Sequence, residues 1–309
     1  MSFLIYGLKR LVATAPILLL VLVINFVLLR LAPGSPLDRE AELPHALKVK
    51  LEAQYGLDQP LPVQFWIFLK NAAQGEFGQS YTYKNRSVRE IIAEAFPVSA
   101  RIGLLAMGLA VVLGCLVGAL CARRPGGPLD QFLRVAMLTG KSVPPMVLAP
   151  LFVAIFAITL DLLPVAGWHG GATKALIGPI CCLALYDVAA IGRLMRGSFL
   201  EVQGQKYITA LRAKGVGEKR LQVRHILREA SLPLVSYLGP ALSSILIGTV
   251  IVEQVFNIPG LGRYLVNAAV NRDYTLTMGI TTLAAVLLLV LNVFSDLVLA
   301  WIDPRIRLT

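Results

Sequence analysis

The sequence of 309 residues is short of charge, cysteine and histidine. Charged side chains make up 15% of it, against about 25% in ordinary soluble domains, which argues against a water-soluble globular fold. Its four cysteines, Cys115, Cys121, Cys181 and Cys182, all fall in apolar runs. No disulfide framework is indicated, and the Cys181–Cys182 pair lacks the second ligand pair a zinc site needs. They read as buried apolar filler. The three histidines, His45, His169 and His225, are scattered, and no nucleophile, base and oxyanion donor come together, so neither a metal site nor a catalytic centre is expected. Gly140-Lys141-Ser142 ends like a phosphate-binding loop, but Val135 stands where that loop requires glycine and the strand-to-helix context is missing.

What is present is hydrophobic: 56% of residues, with a mean hydropathy of +0.70. A helix crosses the hydrocarbon core with about 20 residues. Five runs of that order carry no charge, Leu11–Leu29, Ile102–Ala122, Ser142–Leu160, Ala230–Val252 and Tyr274–Ser295, and a sixth, Ala175–Gly192, is interrupted only by Asp187. They are apolar on every face, which a membrane barrel's alternating strands are not. The expected fold is an all-α polytopic bundle of six transmembrane helices. The first run reads as a retained span, because Arg30-Leu31-Ala32-Pro33 is no cleavage site.

The net charge of +11 would suit a nucleic-acid binder if it lay on a wettable face, but it lies at the ends of the runs. With the N-terminus inside, Lys9, Arg10, Arg123, Arg124, Arg134, Arg305, Arg307 and nine basic residues between Arg193 and Arg228 are cytoplasmic. The short outside loops 161–173 and 257–273 hold Arg263 and Arg272. Basic residues concentrate on the inner side, so both termini are placed in the cytoplasm. The chain divides into a first span (1–31), an extracytoplasmic segment (32–96), a transmembrane domain (97–302) with an inner loop at 193–229, and a tail (303–309). Within 32–96, Pro44–Tyr55 and Val63–Ala73 read as short amphipathic helices and Gly75–Tyr81 as a turn-rich stretch, and the segment as a whole is expected to cover the outer end of the bundle, to dock a partner, or both.

The inner loop 193–229 is far longer than a helix connection needs. Lys206–Lys214 predicts a helix stopped by Gly215 in the left-handed conformation, and Glu218–Ala230 predicts a second one with Arg220, Arg224 and Arg228 on one face. A basic helix on anionic lipid and a protein-docking elbow both fit this pattern.

The motifs are more specific. Arg193-Leu-Met-Arg196, Glu201-Val202, Tyr207, Thr209–Gly215, Arg224-His225 and Leu232-Pro233 resemble the cytoplasmic signature loop of binding-protein-dependent, ATP-driven importers, in its oligopeptide/dipeptide/nickel permease family. Leu31–Pro36, Gly75–Gly78, Phe96–Ser99, Val252–Gly262, Asn271–Tyr274 and Ile302–Arg307 follow in the family's order, and Gly167–Gly171 favours the oligopeptide branch.

The resemblance implies the type I importer transmembrane fold and a permease subunit in the bacterial inner membrane forming half of a peptide pathway. Its partners would be a second homologous permease, two cytoplasmic ATPases and an extracytoplasmic peptide-binding protein, with surrounding lipid. The chain itself is expected to be no enzyme and to hold no cofactor; ATP and Mg belong to the ATPases. Tyr207, Ala210, Arg212, Ala213, Lys214 and Gly215 are the expected ATPase-coupling residues. Glu253, Pro259, Gly260 and Gly262 form a structural turn with an expected outer gate or docking role. Lys141 and Asp187, charges at about the same depth where the family is usually apolar, are expected to form an intramembrane ion pair, with pathway contact to a peptide terminus as the alternative.

Overall fold

The computed structural model describes residues 3–31 and 58–302. The expected helix Pro44–Tyr55 and the tail 303–309 lie outside these residues. Among the described residues the regular elements are helices, and Gln79 and Ser87 make an isolated antiparallel bridge.

Helix α1 (Phe3–Leu31) is apolar all round and lies at the edge of the bundle, where Leu22 and Phe26 are its buried side chains. α2 (Leu61–Ala73) starts on a proline in its first turn, where the missing N–H costs nothing. α3 (Val88–Arg123) opens with a capping box: the Glu90 N–H donates to Ser87 Oγ at 3.2 Å and the Ser87 N–H to Glu90 Oε2 at 3.1 Å. α4 (Pro128–Ser142) and α5 (Pro145–Phe152) follow, the latter continuing as a π-helical turn, Val153–Thr159. α6 (Thr173–Gln203) is the central span. α7 (Lys206–Ala213) and α8 (Glu218–Arg220) form the elbow, and a π-helical turn (Leu221–Ile226) joins α8 to α9 (Leu227–Ala230). α10 (Leu232–Val255), α11 (Leu261–Val270) and α12 (Tyr274–Ile302) complete the chain.

The core is the α3–α6 pair, and small residues let it close. A Cβ added at Gly114 would lie 2.7 Å from Ile191 Cβ, and one at Gly118 would lie 2.7 Å from the Gly192 carbonyl oxygen. Without a hydrophobic force between helices in lipid, such close backbone approach supplies the association energy through dispersion and packing. α10 packs across both helices, and α12 joins α10 to the peripheral α1. Arg10 of α1 pairs with Asp296 of α12 at 2.8 Å.

Four helices are long and apolar enough to cross a membrane unaided: Val12–Leu31 within α1, α3, α6 and α12. The other two expected runs pass only as bent pairs, so six spans result only if each pair is one span. The third run, Ser142–Leu160, expected as one span, is not one continuous helix. Pro144 forces Val143 into extended backbone (φ −89°, ψ 113°), and α4 meets Pro145–Thr159 at 101°. The fifth is α10, which bends by 41° between Leu232–Ile245 and Thr249–Val255.

Candidate functional site

The elbow is built locally. Gly215 has φ +81°, and its N–H donates to the Arg212 carbonyl at 3.0 Å while the Val216 N–H donates to the Leu211 carbonyl at 3.2 Å. That is a Schellman cap, with Leu211 and Val216 packed side by side against the core. Ile208 is fully buried and belongs to the same core cluster as Val202, Leu221 and Ile226, which anchors α7 beneath the bundle. The Tyr207 hydroxyl donates to Glu229, tying α7 to α9, and partial burial pushes the phenol up to about 12.

The opposite face is bare. Ala210, Arg212, Ala213, Lys214 and Gly215 are exposed, and among the described residues nothing beyond its chain neighbours lies within 4 Å of a Cβ built at Gly215. Arg212 and Glu218 pair with each other across the elbow, both exposed. Small side chains and an ordered backbone leave a shallow platform with a basic rim, suited to seating in another protein's groove.

Glu253 and the turn after it are the reverse. Glu253 is completely buried. The Gly262 N–H donates to its Oε2 at 2.7 Å and the Arg263 N–H reaches the same oxygen at 3.4 Å, while the Leu261 N–H donates to Ser99 Oγ of α3 at 2.8 Å. These are the first three N–H groups of α11, whose N-cap, Gly260, has no side chain to satisfy them. Gly260 and Gly262 are buried because their missing Cβ positions are filled by the Glu253 carboxylate and the Val250 backbone. Of the expected gate or docking residues, Pro259 is the one partly exposed, and Gln254 and Asn257 beside it are exposed.

Lys141 and Asp187 do not meet. Asp187 is buried and accepts a hydrogen bond from the Tyr237 hydroxyl of α10 at 2.9 Å, whereas Lys141 is exposed with its Nζ 6.0 Å from the Tyr186 ring centre. Successive residues on a helix point about 100° apart. Tyr186 faces α4 while Asp187 faces α10, so equal depth did not bring the two charges together.

Two charged sites escaped the sequence. Asp130 is buried and accepts two hydrogen bonds from Arg196, at 2.7 and 2.8 Å, and a third from the Gly126 N–H at 2.9 Å. This bidentate bridge fastens α4 to α6 near the elbow. Arg196 stood in the signature loop, and an aspartate in the first turn after Gly126-Gly127-Pro128 was the available signal for its partner. Asp273, also fully buried, caps α12 through the Leu276 N–H (3.0 Å) and accepts from Ser80 and the Thr82 N–H (3.0 Å). It locks the turn at 78–88 to the start of α12.

The family model described as binding-protein-dependent transport system inner membrane component matches residues 110–308, and the model of its N-terminal region matches residues 1–103. The chain belongs to this family. It is an integral inner-membrane permease subunit of a binding-protein-dependent transport system, a transport component and not an enzyme.

Among its relatives, the oligopeptide transport system permease protein OppB of Haemophilus influenzae is 42% identical over 299 residues, covering 97% of this chain and 98% of that protein. OppB of Escherichia coli K12 is 41% identical over 300 residues, with the same coverage. The dipeptide transport system permease protein DppB of Bacillus subtilis is 37% identical over 303 residues, covering 98% of each. Among solved structures, an inward-facing MetNI methionine ABC transporter chain superposes with a TM-score of 0.57 over 69% of this chain and 96% of that one, at 17% identity. That likeness establishes the ABC importer transmembrane fold. The family's main segment contains the elbow, Asp130–Arg196 and the Glu253 turn, and its N-terminal segment contains α1, α2 and the turn at 78–88.

Proposed function

We propose that this permease subunit imports peptides, forming half of an ATP-driven pathway with a second, homologous permease, and that the elbow at 206–215 transmits ATPase motion to the bundle. Identity to oligopeptide and dipeptide permeases over nearly the whole chain supports the substrate class. The exposed, Schellman-capped platform supports the coupling role, since it is ordered by its own backbone and core anchor and, among the described residues, covered by no other element. The basic residues at the elbow end support a cytoplasmic position for that end, with the 58–87 end outward toward a peptide-binding protein. Two cytoplasmic ATPases bind and hydrolyse ATP with Mg, and this chain needs no cofactor of its own.

In this reading ATP acts by binding one arrangement of the ATPase pair more tightly than the other, without which no equilibrium shifts. A rigid elbow converts closure into rocking of the bundle. The Ile208 anchor and the Asp130–Arg196 bridge make α6, α4 and the elbow one lever. The observation that carries the proposal is the bare face over Ala210, Ala213 and Gly215. Its test is ATP-dependent uptake of a defined peptide series by the assembled complex in proteoliposomes. Gly215→Trp, with open space around it, is expected to leave assembly intact and abolish both uptake and peptide-stimulated ATP hydrolysis. Survival of both activities in a folded complex refutes the coupling role.

A further inference from the structure

The 58–87 end of the bundle holds a cavity of about 510 Å³ between α1, α2 and the start of α12. Its walls are aromatic, with Phe26, Phe68, Phe77 and Tyr274, and it contains one arginine, Arg30. The Arg30 guanidinium carbon lies 5.3 Å from the Phe26 ring centre and 5.1 Å from that of Tyr274. Glu76, the carboxylate on the cavity wall, is engaged by Arg89 at 3.0 Å. Among the described residues no carboxylate lies within ion-pair distance of Arg30. Among the described residues this half-buried cation is met by ring faces and by no anion, and cation–π contact replaces a fraction of what burial removes.

The location narrows the anion. α1 is the least buried of the four unbroken spans, so the cavity lies at the bundle's rim and away from the α3–α6–α10 centre. On the side of α1 that carries Arg30, Leu19, Val23 and Val27 are exposed and recur at the three-to-four-residue spacing that makes one ridge running up to it. On α2, Val63, Ile67 and Trp66 are exposed as well, Trp66 to 69%. A short helix offering tryptophan and aliphatic side chains beside the end of a span is dressed for the membrane interface. A ligand that joins one negative charge to a long apolar chain fits both halves of this surface.

We propose that the cavity binds the headgroup phosphate of an anionic glycerophospholipid, with Arg30 facing the phosphate and an acyl chain lying along Val27, Val23 and Leu19. One basic residue near a membrane surface favours an anionic lipid by about 1 kcal/mol, which is about fivefold in affinity. The test uses the full transporter in nanodiscs of equal phosphatidylglycerol and phosphatidylcholine, with lipid retained after mild detergent extraction counted by native mass spectrometry. The wild type is expected to retain phosphatidylglycerol about fivefold over phosphatidylcholine, Arg30→Lys to keep most of that preference, and Arg30→Gln to lose it. Arg10→Gln, at the other end of α1, is expected to keep it.

A second readout needs no Arg30 variant. In a Trp168→Phe, Trp301→Phe complex, brominated phosphatidylglycerol is expected to quench Trp66 at about one fifth the membrane fraction that brominated phosphatidylcholine requires. Equal quenching by the two lipids, or an unchanged lipid preference in Arg30→Gln, overturns the site. Displacement of the retained lipid by millimolar inorganic phosphate overturns the lipid as the source of the anion. Weakened capture of the peptide-binding subunit by Arg30→Gln, with lipid retention unchanged, overturns it in favour of a protein surface.

Discussion

The turn at 253–263 and the elbow at 206–216 both reverse the chain between helices, and both rest on glycine, for opposite reasons. In the turn, glycine is required by neighbours: an added Cβ at Gly260 or Gly262 would overlap the Glu253 carboxylate or the Val250 backbone. In the elbow, glycine is required by conformation alone, since Gly215 has φ +81° and open space around it. The first is scaffold, completed by its own chain. The second is finished inside and vacant outside, which is what a surface that meets a moving partner needs. A site built for another protein shows itself here by what it leaves uncovered.

The comparison breaks most readily at Glu253. Glu253→Ala strips the acceptor from the Gly262 and Arg263 N–H groups and leaves a cavity, at a cost of about 4 kcal/mol. Thermal unfolding of the purified complex should show the largest drop of the variants considered, together with loss of folded yield. A variant that unfolds like the wild type would show that the buried carboxylate does not hold the turn.

Next in size is Asp130→Ala. Removing one partner of a buried bidentate pair costs about 3–5 kcal/mol, and the low end applies because Arg196 is 21% exposed and regains some water. Asp130→Ala combined with Arg196→Leu should recover part of the loss, read as a non-additive double-mutant cycle in unfolding midpoint. If the bridge is also the lever's joint, the single variant will uncouple ATP hydrolysis from uptake before it unfolds.

The elbow sits lower on this scale. Gly215→Ala costs about 1 kcal/mol, because a Cβ in the left-handed region strains the backbone without striking anything. Gly215→Trp should cost little more in stability and far more in uptake. Equal falls in stability and transport across the two variants would remove the distinction between scaffold and docking face.

What the sequence disclosed followed from locality. Four of the six membrane runs, the helix expected over 206–214, the Gly215 cap and the Gly75–Tyr81 turn are decided by residues a few positions apart, and the structure has these, the helix ending at Ala213. Asp130–Arg196 spans 66 residues and Ser80–Asp273 spans 193, so neither pattern exists within a readable window. The expected Lys141–Asp187 pair shows a different limit. Hydropathy gives a residue's depth along a span, but rotation about the helix axis decides its neighbours, and Tyr237 of α10 took the position assigned to Lys141. Likewise, the absence of charge in 142–160 gave no hint that Pro144 would turn the chain through a right angle.

The smallest effect sharpens the comparison from within the elbow. Tyr207 is 37% exposed, so deleting its hydroxyl in Tyr207→Phe removes one partly solvated hydrogen bond to Glu229, worth below about 1 kcal/mol. Its pH signature is more specific than its size. The phenol titrates near 10 when unfolded and is pushed up to about 12 in the folded chain by burial, with Glu229 adding to the shift. The folded state therefore holds the proton more tightly. Its contribution is complete below about pH 10 and is lost as pH rises from there toward about 12. Across that window the wild-type unfolding midpoint should fall more steeply than that of Tyr207→Phe, and the two should run parallel below it. Parallel curves throughout would mean that α7 is held by Ile208 and its apolar cluster alone, leaving the Tyr207 side chain free to turn toward a partner.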